Sequence, residues 1–337
     1  MDVVVTEFGV SLGKKSERLI VRRNGSVLEE HPLFDVSHVI ISSNGVSLSS
    51  DLVRECAQAG IPISFLSRSG KPLARLSSPE MAGTVETRRL QMTAYFDIRG
   101  VSFALAITRA KIANQSATLK YFGKSRKEAH PELHSLLHQA AKRVSQIAGQ
   151  LDLESLLPDE ESPERVDFIR ASVLSIEGRA GRAYWEALRQ IIPPELGFLS
   201  REHQGATDLT NSLLNYGYGI LYQQVWGAIV LAGLDPFAGF LHVDRPGKPS
   251  LVLDMVEEFR QTVVDRTVFG LLTKGVVYKM TEEGRLADEA RQEFARRILD
   301  RLDSPVRFEG KRERLRAVIQ KQARHLACFF RGERDYS

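Results

Sequence analysis

The chain has 337 residues, 43% of them hydrophobic and 26% charged, enough for two packed domains and too apolar for a disordered or fibrous protein. Its net charge is +4, it has two cysteines, Cys56 and Cys328, and its longest apolar run, GAIVLAGL at 227–234, falls far short of the ~20 residues a bilayer span requires. The opening MDVVVTEFGV has neither a basic nor an apolar leader region, so the expectation is a soluble, reduced, cytoplasmic protein.

The first eighty residues predict strands. RLIVRRNGSVLEE places two β-rich runs around Asn24-Gly25, and HVIISSNGVSLSS repeats the pattern around Asn44-Gly45. Asn-Gly suits the primed turns of hairpins. A short helix is predicted over 51–59, with Ser49 and Ser50 available to cap it and Gly60 to end it. IPISFLSRSGKPLARL then reads as strand, turn, strand. SSPEMAGTVETRR at 77–89 is a polar break, and from about residue 90 the apolar residues recur at three and four, the period of a helix. The fold class expected is α+β: a mainly-β N-terminal domain over 1–80, a linker over 81–95, and a larger all-α domain over 96–337 ending in a basic segment.

Charge is distributed unevenly. Residues 98–127 carry Arg99, Arg109, Lys111, Lys120, Lys124, Arg126 and Lys127 with no acid, and residues 304–331 carry eight basic residues against Glu309 and Glu313. Clusters of +7 and +6 in a chain of net +4 suggest a polyanionic partner, nucleic acid before membrane; solvated helix faces are the plainer alternative. An acid-rich loop, LPDEESPERVD at 157–167, follows the first cluster.

The helix predicted over 168–192 carries one residue out of place. Val173, Leu174, Ala180, Gly181, Tyr184, Trp185, Leu188 and Ile191 form its apolar stripe with Glu177 at the centre, while Arg179, Arg182 and Arg189 project from the far side. A buried carboxylate requires a cationic partner from elsewhere, a proton or a metal. Small residues around it, Gly178, Ala180 and Gly181, leave room for another element or a substrate backbone.

The segment GFLHVDRPGKPSLVLDMVEEFRQTVVDR at 239–266 predicts an amphipathic helix whose polar side carries Asp254, Glu257, Glu258, Gln261 and Asp265, opposite Val252, Met255, Val256, Phe259 and Val263. Like charges at this spacing repel, so solvent and salt, arginines or a metal ion are expected over the stripe. His242 precedes it in a loop bracketed by Asp235-Pro236 and Arg245-Pro246-Gly247. Glu257 has a plain reading as an i,i+3 pair with Arg260. Together, Glu177, His242, Glu257 and Asp254 make a mixed nitrogen and oxygen set suited to Mg²⁺ or Mn²⁺ rather than zinc. His130, His134 and His138 are read as a polar helix face, and NYGYG at 215–219 lacks the strand–loop–helix context of a phosphate cradle.

The ordered string from TDLTNSLLNYGYGILYQQV through GLDPFAGFLHVDRPGKPSLVLDMVEEFRQTVVDR, with SIEGRAGRAYW and IPISFLSRSGKPLARL upstream, resembles the CRISPR-associated adaptation integrases, the first and near-universal Cas protein. The resemblance implies that Glu177, His242 and Glu257 hold a divalent metal, Mg²⁺ or Mn²⁺, and that Asp254 supports the catalytic site. It implies a metal-dependent DNA integrase that inserts short foreign fragments as new spacers into a repeat array by 3′-hydroxyl attack on a phosphodiester. Arg245 and Lys248 beside the histidine, and Lys111, Lys120 and Lys124 in the basic segment, are then expected DNA contacts. A homodimer and a small ferredoxin-like CRISPR-associated partner are also implied, the β-rich N-terminal domain serving dimerisation and DNA contact. Two readings stay open beside it: a structure-selective nuclease for branched DNA, and a non-catalytic scaffold in which Glu177 and Glu257 only form ion pairs.

Overall fold

The computed structural model describes residues 1–78, 85–156, 165–203 and 206–336. Most of the acid-rich loop and the first residues of the expected linker lie outside the described residues. The chain divides into two compact units, one of residues 1–81, 203–223 and 278–301, the other of residues 82–202, 224–277 and 302–337.

The first unit holds two four-stranded sheets. Its strands in chain order are β1 (Asp2–Val5), β2 (Val10–Lys15), β3 (Arg18–Arg23), β4 (Ser26–Pro32), β5 (His38–Ile41), β6 (Ser47–Leu48), β7 (Ile63–Leu66) and β8 (Pro72–Leu76), with helix α1 (Ser50–Gln58) before β7. One sheet has the order β1-β5-β7-β8 and the other β4-β3-β2-β6. Every residue of β5 is buried, as its HVII sequence requires of a central parallel strand, whereas β2 opens with the buried–exposed–buried alternation of a strand with one wet face. Val3, Val5, Leu12, Leu19, Val39, Ile41, Leu52 and Ile63 belong to one apolar cluster in this unit. Ser49 caps α1, its hydroxyl accepting from the Leu52 N–H at 3.2 Å.

Two sequence expectations need correction here. Asn24-Gly25 does close a hairpin, with φ of 50° and 83°, but Asn44-Gly45 does not: β5 pairs with β1 and β7, and β6 pairs with β2, so this turn carries the chain from one sheet to the other. The local turn signal was right and the pairing was decided by burial of β5. The unit also extends beyond residue 80 in sequence. Arg291, fully buried, donates to the Ser42 carbonyl oxygen and to Thr6 O at 3.3 Å, and pairs with Asp288 at 2.5 Å. Tyr216 and Ser42 share a hydrogen bond of 2.8 Å. Gly219 belongs to the same set: a Cβ built there would stand 1.8 Å from Gly70 O, so only glycine lets this helix lie against the β7–β8 turn. NYGYG is therefore a packing motif.

The second unit is mostly helical. Its elements include α2 (Val85–Ala94), α3 (Ile98–Lys124), α4 (Pro131–Ala148), α5 (Leu153–Leu156) and α6 (Val166–Arg189). Next come α7 (Leu209–Leu231), whose first part to Gln223 lies in the other unit, and α8 (Ser250–Val256). A π-helical turn (Arg260–Asp265) and α9 (Arg266–Leu272) complete that stretch; α10 (Asp288–Asp303) follows, its residues to Arg301 lying in the first unit. The expected linker over 81–95 is thus largely α2, which Gln91 fastens by hydrogen bonds to Asp235 O at 3.0 Å and Ala238 O at 2.8 Å. The basic C-terminal segment is only partly helical: β9 (Pro305–Phe308) and β10 (Lys311–Arg314) form a hairpin before α11 (Leu315–Phe330). Glu309 and Gly310, with φ of 46° and 78°, make the two-residue loop that right-twisted strands prefer.

Candidate active site

The second unit alone contains every candidate ligand: Glu177 on α6, His242 in the loop before α8, and Glu257 just after α8. The loop is pinned before any metal is considered. Gly239 allows close packing on the α8 N-terminus, where a Cβ would stand 2.5 Å from the Ser250 carbonyl carbon, and its N–H donates to Ser250 Oγ at 2.9 Å. Arg170 donates to Phe240 O at 2.9 Å, and the Phe240 ring packs against Phe103 and Phe330 with centroids 5.3 and 5.1 Å away.

Asp254 is fully buried and organises this loop. Its Oδ2 accepts from the N–H groups of Phe240 at 2.6 Å and Leu241 at 3.1 Å, and its Oδ1 accepts from the His242 N–H at 2.9 Å and ring Nδ1 at 2.7 Å. Four donors fill the roughly four lone-pair positions of a carboxylate, so Asp254 has no oxygen left to offer a metal. What it does is hold the imidazole with Nδ1–H toward itself, which leaves Nε2 as the basic nitrogen.

Glu177 and Glu257, eighty positions apart in sequence, meet on the Lys111 ammonium, which comes from α3. Lys111 Nζ donates to Glu177 Oε1 and lies 2.6 Å from Glu257 Oε2; Arg260 Nε is 3.0 Å from Glu257 Oε1. Burial alone raises the Glu257 carboxyl, but the Arg260 and Lys111 charges override it and hold it at about 2. Burial likewise opposes charge on Lys111, and the two carboxylates reverse that, raising its pKa above the usual lysine value. Among the described residues no three His, Cys, Asp or Glu side chains form a ready ligand cluster.

The donor set nevertheless fits a divalent ion. Two carboxylates already converge on one small cation. Glu257 Oε2 is buried with no hydrogen bond of proper geometry, and an imidazole is oriented by its own carboxylate.

The anionic stripe, over which solvent and salt, arginines or a metal ion are expected from sequence, is divided by backbone geometry. Asp254, Glu257, Glu258 and Asp265 are all buried, and so is the opposite apolar side, so this segment is enclosed all round. Between α8 and α9 the chain winds as a π-turn, which puts later residues off the 100° wheel. Glu258 turns away from the site: Tyr336 donates to it at 2.6 Å and Gln322 at 3.3 Å, and burial pushes its carboxyl up to about 7. Asp265 accepts from Tyr184 at 2.7 Å. Asn114, one turn beyond Lys111 on α3, donates to the Glu258 carbonyl at 2.8 Å.

The expected DNA contacts separate into two groups. Lys120, Lys124 and Arg245 are exposed, and Lys248 closes the tight turn at Gly247 by donating its N–H to Arg245 O at 2.9 Å. Lys111 is half-buried and committed to the two glutamates, a role a linear charge count could not show. His134 bonds to Gly123 O at 3.0 Å and stacks on His138, consistent with a structural helix face.

Among the described residues no helix is long and apolar enough to cross a membrane. The family model for CRISPR associated protein Cas1 matches residues 3–299. A CRISPR-associated endonuclease Cas1 of Archaeoglobus fulgidus is 37% identical over an alignment covering 100% of this chain and 98% of that protein. Among solved structures, a casposase bound to integration product superposes with a TM-score of 0.81 at 22% identity, covering 99% of this chain and 91% of that one. A chain of the Cas6-RT-Cas1–Cas2 complex does so with a TM-score of 0.77 at 19% identity, covering 99% of this chain and 35% of that one. Matched by that family model over most of its length and by a relative 37% identical along the whole of it, this chain belongs to the Cas1 family of CRISPR associated proteins.

Proposed function

We propose that this chain is a metal-dependent DNA integrase, joining the 3′-hydroxyl of a short DNA fragment to a repeat-array phosphodiester. The observation that carries the reading is the convergence of Glu177 and Glu257 on one cation, in the unit that also holds an imidazole fixed by Asp254. Glu177, His242 Nε2 and Glu257 would hold the ion. When bound, it supplies polarisation of the scissile phosphate and charge stabilisation on the transferring oxygens. The chain's own contribution is preorganisation: Asp254 fixes the imidazole tautomer, and Arg260 holds Glu257 ionised. Exposed Lys120, Lys124 and Arg245 would neutralise DNA backbone phosphates.

The casposase relative bound to integration product supports strand transfer as the reaction, and the relative in a Cas6-RT-Cas1–Cas2 complex supports a small Cas partner. A homodimer acting in the cytoplasm completes the proposal. The test is transfer of a duplex with free 3′-hydroxyls into repeat DNA by the wild type and by Glu177→Ala, His242→Ala and Glu257→Ala. Joined product from the wild type alone supports the reading, and undiminished joining by the three variants refutes it. Cleaved ends without joined strands would instead identify a nuclease for branched DNA. The Lys111 ion pairs favour a second reading, a non-catalytic scaffold, which predicts no Mn²⁺ binding by the wild type.

A further inference from the structure

The charges of the site balance without any metal. Glu177 and Glu257 carry two negative charges, Lys111 and Arg260 two positive ones, and all four side chains are at most 18% exposed. A divalent ion entering this set with Lys111 in place would leave an excess of two positive charges in a low-dielectric pocket, which is strongly unfavourable. Without Lys111 the same ligands carry a net negative charge. Yet two carboxylates brought together without a cation would repel and spread apart, so the metal-free fold needs that ammonium.

We propose that Lys111 is the resident cation of the site: it holds Glu177 and Glu257 together in the metal-free protein and withdraws when a divalent ion binds. Its four-carbon stem permits this, because the ammonium is a single point charge on a flexible chain, and its side chain is 15% exposed. Arg260 is tied to Glu257 through the other carboxylate oxygen and stays as the fixed counter-charge. The inference rests on the metal reading above and adds a residue that competes with the ion.

The test is Mn²⁺ binding by calorimetry and electron paramagnetic resonance, together with thermal melting in EDTA and in Mn²⁺, on full-length wild type, Lys111→Met and Lys111→Arg. Lys111→Met is expected to bind Mn²⁺ at least about tenfold more tightly than wild type. It should melt below wild type in EDTA and recover in Mn²⁺. Lys111→Arg, whose planar guanidinium can bridge carboxylates more firmly, is expected to bind Mn²⁺ more weakly than wild type. Equal or weaker binding by Lys111→Met, with wild type binding normally, overturns the inference and leaves the metal site standing. If Lys111→Met does not fold, Lys111→Arg decides: affinity equal to or above wild type overturns the inference. Absence of binding by every form overturns both the inference and the metal reading.

Discussion

Glu257 and Glu258 are adjacent and both buried, yet their carboxyls are driven in opposite directions: Glu257 lies between Lys111 and Arg260 and is held at about 2, while Glu258 faces Tyr336 and Gln322 and is pushed up to about 7. One peptide step separates a permanent anion from a carboxyl that is neutral in mild acid.

Glu258 gives stability a pH dependence. Because the fold favours its protonated form, its contribution is complete below the unfolded carboxyl value of 4.5 and is lost as pH rises through about 7. Glu258→Gln removes the proton equilibrium and should gain on wild type by about 3 kcal/mol across that window. Urea denaturation of both proteins at pH 5.0 and pH 7.5 measures it; a constant difference between them would contradict the assignment.

Asp254→Asn should damage the site without removing a ligand. The amide cannot accept the four hydrogen bonds that the carboxylate receives, and the His242 ring loses its anchor. Metal affinity should fall about 10- to 100-fold, as when other outer-shell partners of metal-bound histidines are removed. Calorimetric Mn²⁺ titration reads this directly, with folding checked by circular dichroism.

Two glycine substitutions should separate cleanly. Gly219→Ala forces a methyl group into Gly70 O, a backbone atom that cannot move aside, and should cost about 3 kcal/mol or more. Gly181→Ala on α6 meets nothing within 4 Å and should stabilise by about 0.5–1 kcal/mol through the better helix former. Melting temperatures of the two variants against wild type test both signs.

Arg291→Leu probes the first unit. Its guanidinium is fully buried on Ser42, Thr6 and Asp288, and leucine would leave those oxygens without their donor. A loss of about 3–5 kcal/mol is expected, visible as an early denaturation transition.

Much of this was legible from sequence. The strands around Asn24-Gly25, the capped helix after Ser49 and the hairpin over 63–76 follow from turn residues and alternation, which act locally. Glu177 declared itself because a carboxylate amid an apolar stripe demands a partner. The identity of that partner was hidden: Lys111 lies 66 residues away in a run of seven basic residues, and a count cannot tell an ammonium turned inward from six others. The strand pairing on either side of Asn44-Gly45 and the β9–β10 hairpin were not legible for the complementary reason, since pairing partners and short polar strands are set by tertiary burial more than by propensity. Asp254 was placed near the chemistry, but its saturation by four donors is a property of three-dimensional arrangement.

The π-turn at Arg260–Asp265 has a bearing on how this stretch tolerates change in length. A π-turn stores one residue beyond what an α-helix of that rise contains, so removing one there lets the chain rewind as α and keeps the flanking helices in phase. The same deletion within Ser250–Val256 would swing Asp254 or Glu257 by about 100° and disperse the site. Evolution or a designer shortening this region has one slack position to draw on, and it lies downstream of both carboxylates.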